Sequence, residues 1–200
     1  MADPSYIDPT TGVLTDPEAW VALDTELLSS DTATITFEST YDGQVGDWSQ
    51  YMDLVIIASA RSDNGSGSWD NMRIALNNDT TDANYNRQYI YGYNTAVTAA
   101  IANNRIIAHI PCDAEPSTIF GGNVMNFSDI NSGKYKSMLF QNNAETHNGG
   151  IVEIYTMTWG SQAAITEIDL TVVNGTNFKA NSIFSLFGGL PSMLNTGTVS

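Results

Sequence analysis

Residues 33–38 read Ala-Thr-Ile-Thr-Phe-Glu, with Ala33, Ile35 and Phe37 alternating against Thr34, Thr36 and Glu38. A period of two puts one set of side chains on a buried face and the other in water, so this is a β-strand half-buried in a sheet. The same period spreads outward from it. Met72, Ile74 and Leu76 alternate with Asn71, Arg73 and Ala75, and Ile106, Ala108 and Ile110 alternate with Arg105, Ile107 and His109. The run Leu54-Val55-Ile56-Ile57-Ala58 suits a central strand buried on both faces. Residues 85–93, 124–127, 135–141, 151–159, 165–173 and 182–187 complete about ten strands on strand propensity and spacing.

Between these runs stand Asn64-Gly65, Gly121-Gly122, Asn148-Gly149 and Asn174-Gly175, residues that tolerate positive φ and close hairpins. Short strands punctuated this way, with almost no helical period, predict an all-β fold, a jelly-roll-like antiparallel β-sandwich. Two segments compete with that pattern. Asp16-Pro17-Glu18 has the form of a helix start with Trp20, Val21 and Leu23 behind it, and the Ala-rich stretch 95–103 reads equally as two helical turns or a loop. The predicted organisation is an extended N-terminal arm and lead-in over 1–32, a sandwich domain over 33–188 and a short C-terminal tail over 189–200.

The chain has 200 residues with 22 acidic and 7 basic side chains, a net charge of −15, yet only 14% of positions are charged against roughly 25% in ordinary domains. Seven scattered cations cannot neutralise a run of phosphates, which argues against nucleic acid as a partner. Cys112 is the single cysteine, so no internal disulfide and no cysteine zinc cluster can form, and a buried thiol is expected. Neither an export signal nor a membrane span is read from residues 1–9 or from any apolar run.

No catalytic residue, metal site or cofactor is predicted. His109 and His147 are the only imidazoles, one on a strand and one in a turn, and no nucleophile elbow, phosphate loop or paired-histidine motif occurs. The acidic loops 62–70 and 78–82 carry oxygen ligands without EF-hand spacing and read as hairpin connections. The Asn-X-Ser/Thr triplets at Asn64, Asn78, Asn126 and Asn174 read as ordinary loop sequence. A sugar-binding alternative places Trp48, Trp69 and Asp70 on a polar loop set, with an indole to stack on a pyranose and a carboxylate to hold its hydroxyls.

Several motifs occur in a fixed order: Asp53–Arg61 (DLVIIASAR), Met72–Asn77 (MRIALN), Asn84-Tyr85 and Tyr91-Gly92, Lys134-Tyr135-Lys136-Ser137, Ala164-Ile165-Thr166, Asn177-Phe178, and Ser182–Gly188 (SIFSLFG). In that order the chain resembles a virion structural protein family of tailed phages, known chiefly from marine and other environmental phages. The resemblance covers roughly residues 33–188. It implies a place in a particle, associated with capsid or tail, assembled in the host cytoplasm, and it brings no catalytic residue with it.

The expectation that follows is a non-enzymatic capsid decoration or cement protein, a homo-oligomer and most simply a trimer, bound to the major capsid protein or another virion protein. The anchoring surface is expected at Tyr6, Ile7, Val13, Leu14 and Trp20 of the arm with Leu190, Met193 and Leu194 of the tail. Ordering such an arm costs about 1–2 kcal/mol per residue fixed, so its spaced apolar side chains must be buried on docking. The alternatives are a tail or head fibre whose sandwich binds a host-surface glycan, or a free carbohydrate-binding module. Neither nucleic acid nor membrane is an expected partner.

Overall fold

The computed structural model describes Thr10, residues 20–146 and residues 149–189. In chain order its strands are β1 (Trp20–Leu27), β2 (Thr34–Glu38), β3 (Asp53–Ala60), β4 (Trp69–Leu76), β5 (Tyr85–Tyr93), β6 (Ala96–Ala102), β7 (Ile106–Pro111), β8 (Gly121–Ser128), β9 (Lys136–Thr146), β10 (Gly149–Trp159), β11 (Glu167–Val172) and β12 (Ile183–Gly189). They form an eight-stranded sheet ordered β1-β12-β3-β8-β9-β10-β5-β6 and a four-stranded sheet ordered β2-β11-β4-β7. Every pairing within them is antiparallel.

Set aside the hairpins β5–β6 and β9–β10, and the remaining eight strands divide four to each layer in the orders of a jelly roll, changing sheet at every step except from β4 to β7. The two hairpins are insertions in the β4–β7 and β8–β11 connections. Both join the large sheet beyond β8, so it doubles in width while its partner does not. The predicted all-β sandwich is therefore what the chain forms. Its core lies between the layers: Ile35 and Phe37 of β2, Ile74 and Leu76 of β4, and Ile168 and Leu170 of β11 meet Ile56, Phe127, Phe140, Phe184 and Leu186 of the large sheet, all buried.

Three expectations are corrected. Trp20, Val21 and Leu23, placed behind a helix start, belong to β1, because Val21 is drawn inward and the strand pairs with β12. The stretch 95–103, read as helix or loop, contains β6; the two-residue turn Asn94-Thr95, with Asn94 at φ 52°, folds it back on β5, and that pairing outweighs the helix propensity of alanine. These are the two strands beyond the expected ten. The third concerns β3, central as predicted but not covered on both faces: Ile57 is 48% exposed.

Candidate functional site

Widening only one sheet leaves β10, β5 and β6 as an overhang beside the small sheet's last strand, β7, which packs over β8, β9 and β10. A polar row in direct register crosses the inner face there: Asn123, Asn142, Glu153 and Tyr91 on β8, β9, β10 and β5. It docks β7. Asn142 Nδ2 donates to the Ile107 carbonyl at 2.8 Å, and Glu153, buried in an apolar layer, accepts from the His109 backbone N–H at 2.6 Å. The other oxygen of Glu153 lies 2.6 Å from His109 Nδ1 and accepts from the Tyr155 hydroxyl at 2.8 Å. A buried carboxylate is tolerable only when so partnered. Burial and the adjacent Glu153 charge push the Tyr155 phenol far above its ordinary range, so it remains a donor.

Aromatic rings continue outward from this anchor. Tyr89, Tyr91 and Tyr93 recur on the inner side of β5, and Arg87 lies over the Tyr89 and Tyr155 rings at 4.4 and 5.2 Å. Trp69 of β4 meets Tyr93 edge-on at 4.8 Å and His109 at 6.0 Å. The result is a half-buried aromatic cluster of Trp69, Tyr91, Tyr93 and His109 along the overhang.

The sequence-predicted sugar site is not assembled. Trp48, in a 3-10 turn over Trp48–Gln50, is 2% exposed and part of the core, so its faces are already covered. Asp70 is buried, and its oxygens accept from Ser62 Oγ, Asn71 N, Asn174 N, Asn174 Nδ2 and Gly175 N at 2.7–3.0 Å. With Asp63, which accepts from Thr176 N and Asn177 N, it clamps the loop before β12 instead of facing a ligand. Gly175 is required there, since a Cβ would stand 2.5 Å from Asp63 Oδ1. Only Trp69 of the three remains accessible. Among the described residues no group of three or more His, Cys, Asp or Glu is placed to hold a metal ion. Cys112 is buried, its thiol directed at the Gly67 carbonyl. Of the predicted anchoring residues, Trp20 opens β1 and is exposed. Tyr6, Ile7, Val13, Leu14, Leu190, Met193 and Leu194 lie outside the described residues, as does His147.

The outer face of the eight-stranded sheet carries a second feature. Ile57, Val124, Gln141, Ile154, Ile90 and Ala99 face one another in unbroken register across β3, β8, β9, β10, β5 and β6. Rows on either side add Val152 and Val97, and Leu139 and Ile101, all exposed. Across these three rows, from β12 to β6, no side chain is charged. Two shallow hollows of about 640 and 580 Å³ lie on this face, the first over Ile57, Val124 and Ile154, the second over Gln88, Thr156 and Ile101. The face is therefore uncharged, aliphatic side chains alternating with amides and hydroxyls such as Gln141, Asn143 and Thr156, on a chain of net charge −15.

No family model and no curated protein matches this chain. Comparison with solved structures found the CBM2 module of the evolved Dit of Lactobacillus casei BL23 phage J-1, 9% identical, with 95% of this chain and 93% of that chain covered and a TM-score of 0.15. A superposition that poor carries no argument about fold or function.

Sequence reasoning missed the His109–Glu153–Tyr155 cluster, although the signal was present. Ile151, Glu153, Tyr155, Met157 and Trp159 share one face of β10 by period two, and a lone carboxylate in such an apolar row must have a partner across the core. The charge-free face was harder to find, because it depends on which strands are neighbours.

Proposed function

We propose that the protein is a non-enzymatic virion subunit of a tailed phage, a capsid decoration or cement protein that self-associates and is held to the major capsid protein or another virion protein by its N-terminal arm. The observation that carries this reading is the uncharged outer face of the eight-stranded sheet, with Ile57, Val97, Ile101, Val152 and Ile154 exposed on it. Copies of a chain at −15 repel one another, and an uncharged face is where that repulsion opposes association least. A jelly roll is compatible with a particle subunit but occurs in lectin domains as well, so the fold argues by analogy alone. The ordered motifs over residues 33–188 supply the viral part of the reading. Its site of action is then the virion, assembled in the host cytoplasm, with no cofactor and with neither nucleic acid nor membrane as partner.

Deleting residues 1–19, which leaves β1 whole, tests the anchor. Loss of particle binding with an unchanged thermal melt is the expected outcome; unchanged occupancy overturns the arm as anchor. A second reading, a tail or head fibre or a free carbohydrate-binding module, is favoured by the half-buried Trp69 beside Tyr91 and Tyr93, rings suited to stacking on a sugar. Saturable quenching of tryptophan fluorescence by a glycan, abolished by Trp69→Ala, supports it; no response across a glycan panel removes it.

A further inference from the structure

We infer that β6 is a self-pairing edge: a second copy of this chain docks antiparallel along it, about a twofold axis through Ala99, and joins two eight-stranded sheets into one. Among the described residues β6 ends its sheet, so one side of its backbone offers N–H and C=O groups that no other described strand pairs. Among the described residues the other three sheet edges are protected. β1 has a bulge between Ala22 and Asp24 and carries Asp24 and Glu26; β2 is five residues long and ends in Glu38; β7 is packed over the large sheet and ends in Pro111. β6 has no such device. Its seven residues, Ala-Val-Thr-Ala-Ala-Ile-Ala, include no charge, proline or glycine, and pair with β5 without a register shift.

The order of those residues identifies the occupant. With Ala99 opposite Ala99 of the second copy, Val97 meets Ile101 of that copy and Ile101 meets its Val97. These are the most exposed large apolar side chains among the described residues, at 72% and 76%. On the other face Thr98 meets Ala100 and Ala96 meets Ala102, so small side chains meet small ones. Sliding the pairing by two residues sets Val97 or Ile101 against Ala99 and leaves both aliphatic pairs broken, so the pattern specifies one register. A segment that complements itself in reverse is the requirement for a closed isologous contact. Charge agrees: no carboxylate occurs anywhere from Tyr85 to Ala102, so the pairing opposes no acids although each copy carries −15. The row from Ile57 to Ala99 then runs on into the second copy. This contact stands apart from any role on a particle, and its symmetry gives a dimer, where the sequence-based expectation was a trimer.

The full chain in sedimentation equilibrium should be a dimer. Val97→Lys and Ile101→Glu should each give monomers with unchanged circular dichroism, and mixing the two variants should restore a one-to-one dimer, because the introduced ammonium then faces the introduced carboxylate while the remaining Ile101 and Val97 still meet. Under mild oxidation Ala99→Cys should cross-link to a dimer at least tenfold faster than Val97→Cys, since residues directly opposite in such a pair lie about 4.5–5.5 Å apart, within disulfide reach. A monomer at all concentrations, a trimer, or equal cross-linking of the two cysteine variants overturns the pairing. Loss of the dimer on deleting residues 1–19 also overturns it, because the arm would then be the occupant of the edge. Failure to bind particles by a chain that still dimerises would count against the proposed function alone.

Discussion

The eight-stranded sheet ends in two edges built on opposite plans. At β1 the edge is blunted: a bulge at Leu23 breaks the register, and Asp24 and Glu26 lie opposite the buried Leu186 and Phe184, where a docking strand would have to cover their charge. At β6 the register runs clean, the charge is zero, and two large aliphatic side chains face solvent. Inward-pointing charges and bulges are the devices by which sheet proteins refuse a partner. Their presence at one end and absence at the other teaches that solubility alone does not explain this surface: the chain holds the means to close an edge and does not apply it at β6.

The edges also differ in what they give the fold, and the largest expected effect lies there. Val21 of β1 is 1% exposed, so Val21→Asp buries a carboxylate without a partner and should cost about 3–5 kcal/mol in urea denaturation. Val97→Asp on β6 should leave monomer stability within about 0.5 kcal/mol, the range of surface substitutions, while abolishing self-association. Equal losses would mean that β6 is as much a part of the core as β1.

Next in size is Gly188→Ala. Gly188 pairs with Val21, and a Cβ there would stand 2.3–2.7 Å from three atoms of the buried Tyr51 ring, whose hydroxyl is tied to the Val45 carbonyl. Overpacking of that kind costs about 1–3 kcal/mol. Gly92→Ala, in the strand beside β6, meets nothing within 4 Å and should be nearly silent in the same assay.

The two edge strands are also the two that the sequence did not reveal. An interior strand such as β11 or β10 buries alternate residues between two layers, and the period of two is written into it as Ile168 and Leu170, or Ile151, Tyr155 and Met157. An edge strand with few buried side chains has no such obligation. In β6 every residue is exposed or half-exposed, so alanines that promote helix in isolation become strand only because β5 lies beside them. The same logic divides the candidate sites. Glu153 was open to inference from its place in an apolar row. Trp48 and Asp70 looked like ligand-facing loop residues because composition does not record that one fills the core and the other gives its lone pairs to the loop at 174–175.

Acid should separate the two ends more gently. Near β1, Asp31 accepts from the Ala180 N–H and Lys179, which hold its carboxyl below the ordinary 3.8. At Asp63 burial works in the opposite direction, but the backbone and side-chain donors of Asn177 and the Thr176 N–H outweigh it, and the net shift is again downward. A carboxyl with a depressed folded pKa contributes stability above its unfolded value, and that contribution is lost as pH falls through the folded one. Stability should therefore fall below about pH 4, with a shallower acid slope in Asp63→Asn. The β5–β6 hairpin carries no carboxylate, so its self-association should not change between about pH 5 and 8 and should strengthen with salt, which screens the repulsion between copies.

The smallest change in fold stability, within about 0.5 kcal/mol, is expected from the double substitution Asp24→Thr with Glu26→Val, which removes the charges of β1 and leaves its core contact at Val21 intact. Its consequence for assembly is larger. A sheet with one adhesive edge closes on itself as a pair and stops, because the twofold contact uses up the only surface that can make it. A sheet with two adhesive edges makes two twofold contacts on different axes, and alternating them generates an open polymer. Light scattering should therefore show Asp24→Thr/Glu26→Val growing beyond a dimer, and adding Val97→Lys should return it to a small closed species. If the double variant stays the size of the parent chain, the bulge at Leu23 protects β1 by its shape, and the charges contribute little to the difference between the edges.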